Sequence, residues 1–206
     1  GRVSGADFLS LISVFADEDD PAVWQAIAAG LRVLDRLASD EARPRLAALV
    51  RGLVAPALAR LGWERSAAEP ALVAQSRGLL VQMLALIGQD DDTAQMCTRL
   101  VRRALAGEEV DPELLAAATT VAAATGDEPT YETFVQQARS AATPQEQLRF
   151  LYALAEFDRR DLVERTVNLC FSPEIKTQNA PFLIGRTRSE EYTSELQSRL
   201  HLVCRL

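Results

Sequence analysis

Apolar residues recur along this chain at steps of three and four. Trp24, Ile27, Leu31, Leu34 and Ala38 fall on one face of a 3.6-residue helix. Leu72, Leu79, Leu80, Met83, Leu84 and Ile87 do the same. So do Tyr131, Phe134, Val135 and Ala138, and then Leu148, Leu151, Tyr152 and Ala155. No stretch shows the sustained two-residue alternation of a half-buried strand.

Boundary signals divide this periodicity. Asp20-Pro21 and Asp111-Pro112-Glu113 are cap-then-proline starts, where proline loses no helical hydrogen bond. Thr143-Pro144-Gln145-Glu146 reads as a capping box, and Ser172-Pro173-Glu174 repeats the device. Gly30 and Gly78 lie inside helical patterns and mark expected close contacts between helices, while Gly62, Gly88, Gly107 and Gly126 fall at expected helix ends. The spacing predicts about ten helices, over 6–16, 21–38, 42–61, 69–87, 91–105, 112–125, 128–140, 144–156, 159–171 and 174–186. Paired helices repeating at roughly 30 to 45 residues suit an all-α fold, an irregular HEAT/armadillo-like repeat stack. A compact bundle is the alternative.

The chain has 206 residues and is 48% hydrophobic, enough for one sizeable core. Aromatics are only 6%, so that core is expected to be mainly Leu, Val and Ala. Lys176 is the single lysine among 22 basic residues, a bias typical of a GC-rich genome. The net charge of −7 argues against a nucleic-acid partner, which requires a basic footprint, and against an anionic membrane surface. No apolar run reaches the roughly 18 residues of a membrane span, and no signal peptide is visible. Cys97, Cys170 and Cys204 have neither zinc-site nor Cys-x-x-Cys spacing. Buried, reduced thiols at Cys97 and Cys170 and a cytoplasmic location are expected.

The last nineteen residues break the pattern. The eleven from Arg188 to Ser198 resemble the translation of a sequencing-adapter oligonucleotide. Residues 1–187 are therefore read as the domain and 188–206 as a non-native tail. The tail carries the only histidine, His201, and also Cys204, so neither belongs to the domain or its sites.

Without a histidine before residue 188, Ser-His-Asp, Cys-His and His-Glu-x-x-His chemistry has no support. No phosphate-binding glycine loop is present. Asp17-Glu18-Asp19-Asp20 and Asp90-Asp91-Asp92 precede helices, where carboxylates meet the positive helix end. Neither has the glycine and distal glutamate of a calcium loop. Arg99, Arg102 and Arg103 sit late in a helix, facing its negative end. The sharper reading of these arginines is a docking point for a peptide carboxylate. Trp24 and Trp63 read as packing anchors. No catalytic, cofactor-binding or metal-binding residue is assigned.

Several segments, in order, resemble the C-terminal helical, endoplasmic-reticulum-aminopeptidase-like domain of M1 family zinc aminopeptidases. They are Ala6-Asp7-Phe8-Leu9 through Asp19-Asp20-Pro21-Ala22-Val23-Trp24; Leu61-Gly62-Trp63-Glu64 with Glu69-Pro70 and Arg77-Gly78-Leu79-Leu80; Thr143-Pro144-Gln145-Glu146-Gln147 through Ala155; and Ile175 through Phe182. Lys176-Thr177-Gln178-Asn179 stands where the family usually has Arg-x-Gln-Asp/Asn. The resemblance implies a helical domain, truncated at both ends, that covers the active site and encloses peptide substrate. Its implied partners are peptide and a catalytic domain of the same polypeptide. That missing domain would carry the zinc and the Gly-x-Met-Glu-Asn and His-Glu-x-x-His motifs, and would remove N-terminal residues from peptides. This chain itself is expected to hold no cofactor. A stand-alone helical-repeat scaffold that binds another protein is the alternative.

Overall fold

The computed structural model describes residues 4–66, 68–176 and 178–187. The fold is all-α, with no strand among the described residues. The helices are α1 Gly5–Ile12, α2 Pro21–Leu37, α3 Arg43–Leu61, α4 Ala71–Gln82, α5 Asp91–Leu105, α6 Pro112–Ala124, α7 Glu128–Ser140, α8 Pro144–Leu154, α9 Arg160–Cys170 and α10 Ala180–Arg186. None of them is long and apolar enough to cross a membrane. The chain divides into two compact units, residues 1–122 and 123–206.

Local chemistry accounts for most of the boundaries. Asp20 accepts from the Ala22 amide at 2.8 Å, and Asp111 from the Glu113 and Leu114 amides at 3.0 Å each, opening α2 and α6. Thr143 accepts from the Glu146 amide at 3.2 Å to open α8. The reciprocal bond of the expected capping box lands one residue early, from the Ala142 amide to the Glu146 carboxylate at 3.0 Å. Gly62 and Gly107 follow α3 and α5 at φ of 69° and 87°, a left-handed backbone that favours glycine.

Three expected helices are corrected. The first is shorter, because Ser13–Phe15 tightens into a 3₁₀ turn after α1. The fourth starts after Pro70, and its end, Met83–Ile87, widens into a π turn in which the Gly88 amide donates to the Met83 carbonyl at 2.9 Å. The last spans only Ala180–Arg186 rather than 174–186. Ser172 still accepts from the Glu174 amide at 3.2 Å, but it closes a turn instead of a helix. A helix running from 174 would put Pro181 in its interior, removing one backbone bond and driving the ring into a carbonyl. The chain instead places Pro181 in the first turn of α10.

In the first unit α2 packs on α4, while α3 and α5 pack against the π turn at the end of α4. Gly78 brings α4 against α6: a Cβ there would lie 3.2 Å from the Glu113 carbonyl oxygen and 3.3 Å from the Ala117 Cβ. Gly30 likewise admits the Phe8 ring. The expected close approaches at both glycines are therefore present. The core is aliphatic around Trp24, with Leu31, Val50, Val54, Leu80 and Val81 almost fully buried. Each such side chain contributes about 1.5–3 kcal/mol of burial. Leu72, expected on the buried face, is exposed.

The second unit departs from the expected aliphatic core. α7 and α8 pack as a hairpin, and α10 packs on α8 and α9. Tyr131, Phe134, Phe150 and Phe157 cluster edge-to-face, with ring centroids 5.2 to 6.1 Å apart. Thr166 sits among them, its hydroxyl 3.1 Å from the Tyr131 hydroxyl and 3.1 Å from the Leu154 carbonyl oxygen.

Candidate functional site

Among the described residues, the most deeply buried charge lies in the first unit. Arg77 of α4 is 1% exposed, and its guanidinium meets both Glu69 carboxylate oxygens at 2.7 and 2.6 Å. The same group donates to the Gly62 carbonyl at 2.8 Å and the Leu61 carbonyl at 3.2 Å. These carbonyls close α3 and have no partner within that helix. The hydrogen bonds from Arg77 hold the Glu69 carboxyl below its ordinary value, while Glu69 raises Arg77. The Leu61-Gly62, Glu69-Pro70 and Arg77-Gly78 segments thus meet in one knot that ties the end of α3 to α4. Its chemistry is structural, since each guanidinium nitrogen is engaged by the protein.

Beside this knot, a groove of about 280 Å³ runs across α2, α4 and α6. Gln25 and Arg32 reach it from α2, Gln75 and Gln82 from α4, and Glu113 from α6. Gln25 and Arg32 are seven residues apart, as are Gln75 and Gln82, which places each pair two turns apart on one helix face. The floor is small, formed by Ser76, Gly78, Ala116 and Ala117, because α4 and α6 approach so closely there. Ser76 donates to the Leu72 carbonyl at 3.0 Å. A carboxamide both donates and accepts, as a peptide backbone does. The groove therefore offers a polar, backbone-matching surface with one cation and one anion, and no nucleophile–base pair. Periodicity in the sequence ranked only apolar positions, so these polar groove residues carried no signal there.

The residues singled out in the sequence fall in separate places. Asp20 and Asp90 cap helices, Asp90 accepting from the Thr93 amide at 2.9 Å. Glu18 accepts from the Asp19 and Asp20 amides at 2.9 and 2.8 Å, and Arg60 lies 3.5 Å from Asp17 and 3.8 Å from Asp19 at the surface. Arg102 and Arg103 occupy the last turn of α5, with Arg103 paired to Glu108 at 2.7 Å. Arg99 sits 3.9 Å from the Met96 sulfur. Trp24 is buried and donates to the Glu18 carbonyl at 3.0 Å, whereas Trp63 is only half-buried. Cys97 and Cys170 are free, buried thiols, pushed up by desolvation to about 12 and about 11. His201 and Cys204 lie outside the described residues.

The described residues do not fit a zinc ion. No group of three or more His, Cys, Asp or Glu side chains among them is placed to hold a metal. The two described thiols are far from the thiolate state that ligation requires.

A family model described as the ERAP1-like C-terminal domain matches residues 1–198. No curated protein matches the chain.

Proposed function

Because the chain belongs to the ERAP1-like C-terminal domain family, the helical C-terminal domain of M1-type aminopeptidases, we propose that it covers the active site of its parent enzyme and encloses the peptide substrate. The parent removes N-terminal residues from peptides, using zinc held by a catalytic domain of the same polypeptide. Zinc there supplies carbonyl polarisation and an activated water. This chain contributes binding surface. The family match over residues 1–198 carries this reading. The groove across α2, α4 and α6 supports it, because Gln25, Gln75 and Gln82 offer amide groups to a peptide backbone whatever its side chains. The acidic balance of the chain suits a peptide rather than a nucleic acid. The buried thiols suit a reducing cytoplasm.

The test uses the full-length parent enzyme with Gln25, Gln75 and Gln82 all replaced by alanine. For long peptides KM should rise by roughly 30- to 150-fold, as expected when two or three hydrogen bonds of about 1 kcal/mol each are lost. For a single-residue aminoacyl reporter, which does not reach the groove, KM and kcat should stay unchanged. Equal effects on both substrates, or none on either, would overturn the assignment of the groove. A parent with no peptidase activity would favour a stand-alone protein-binding scaffold.

A further inference from the structure

The second unit contains a cavity of about 380 Å³ between α7, α8, α9 and the segment carrying Glu174 and Ile175. That volume lies within the roughly 300–1,000 Å³ of small-molecule sites. Its walls are apolar, built from Val135, Leu151, Leu169 and Ile175. Two opposite charges stand at the rim. Arg139 donates to both oxygens of Glu174, at 2.7 and 3.0 Å, and the side chains are 54% and 44% exposed. The remaining polar group, Gln147, donates to the Ala138 carbonyl at 3.2 Å and so braces the wall against the end of α7.

We infer that this cavity is a binding site for a free apolar α-amino acid. Such a ligand carries a carboxylate and an ammonium on one carbon, with a hydrocarbon side chain beside them. Arg139 and Glu174 present the complementary pair over an apolar floor. The planar guanidinium matches a carboxylate bidentately, and Glu174 accepts from the ammonium. The two protein groups currently satisfy each other. An exposed ion pair of this kind contributes little stability, so separating it around a ligand costs little. A peptide does not satisfy both rim charges in this way, because its termini sit on different residues. Glycine would satisfy the charges but leave the apolar walls uncovered. Binding requires no second domain, so the site stands independently of the function proposed above. Only one link rests on that reading: amino acids are what the parent enzyme releases, which would make the cavity responsive to product.

The experiment titrates the full 206-residue chain by calorimetry with L-leucine, glycine, 4-methylpentanoate and isopentylamine. Leucine should bind, and each of the other three should bind about tenfold more weakly, since each lacks one charged hydrogen-bonding group or the apolar side chain. Arg139→Gln and Glu174→Gln should each weaken leucine about tenfold while leaving the far-ultraviolet circular dichroism unchanged. Absence of leucine binding would overturn the inference, as would equal binding of all four ligands. If either variant misfolds, the four-ligand series on the unaltered chain decides the matter alone.

Discussion

Replacing Glu69 by glutamine removes one charge and one acceptor from a guanidinium that is 1% exposed. Both carboxylate oxygens now bond to it, at 2.7 and 2.6 Å. Glutamine keeps a single acceptor oxygen and leaves the buried Arg77 cation with only the Asp111 carboxylate, which it does not touch through a hydrogen bond, as a counter-charge. Breaking a buried pair in this way costs about 3 kcal/mol, the low end of the usual range, because the Leu61 and Gly62 carbonyls still accept from Arg77. At about 3 °C per kcal/mol for a chain of this size, Tm should fall by about 9 °C. The loss should persist in high salt, since buried charges are poorly screened. It should also depend on pH. The Glu69 carboxyl is held below its ordinary value near 4.5, chiefly by the Arg77 hydrogen bond. Its contribution is therefore fully present above that value and lost as pH falls through the lower folded value. The stability gap between wild type and Glu69→Gln should be constant at neutral pH and close in acid. Thermal and urea denaturation followed by circular dichroism at pH 7 and at stepped acidic pH measure both effects. A variant within about 0.5 kcal/mol of wild type at pH 7 would show the pair to be worth no more than a surface bridge.

Further outcomes follow from other contacts. Gly78→Val should destabilise the first unit by about 2 kcal/mol by forcing α4 from α6, where a Cβ already meets the Glu113 carbonyl oxygen at 3.2 Å; urea denaturation checks this, and a neutral result would mean that α6 can shift freely. Thr166→Val should cost about 2 kcal/mol, because it leaves the Tyr131 hydroxyl and the Leu154 carbonyl short of a partner in the buried core of the second unit. Adding Tyr131→Phe should then cost less than it does alone, as a double-mutant cycle would read. In a Cys204→Ser background, Cys97 and Cys170 should resist thiol reagents at neutral pH and react fully only in denaturant, given thiols pushed up to about 12 and about 11. Rapid labelling of either in the folded chain would contradict their burial.

The apolar periodicity carried most of the fold. Eight of the expected helices lie within two residues of α2, α3 and α5–α9 or, at one end, of α4 and the π turn that ends it. Caps and prolines set these boundaries locally, at Asp20, Asp111 and Thr143, without help from tertiary structure. The signal failed where local cues competed. Ser172-Pro173-Glu174 offers the same cap as Thr143-Pro144, but Pro181 downstream forbids the helix that would follow. Gly88 closes the helix as expected, and the left-handed residue is its neighbour Gln89 at φ 50°. Gly88 itself is needed for space, since a Cβ there would come within 2.4 Å of the Leu84 carbonyl oxygen. The aromatic cluster of the second unit was invisible in a 6% aromatic content averaged over the chain. The Arg77 knot was half-legible: its pieces appeared as resembling segments, but nothing in their spacing joined residues 61, 69 and 77. The groove of Gln25, Gln75 and Gln82 was not legible at all, because polar residues on exposed helix faces are unconstrained by burial.

The proposed role of this chain is that of a substrate-enclosing domain in a zinc aminopeptidase. Sequencing the source DNA upstream of the Gly1 codon is its sharpest test. One continuous upstream frame encoding both Gly-x-Met-Glu-Asn and His-Glu-x-x-His is expected. A start codon immediately before Gly1, with no such domain encoded, would contradict it.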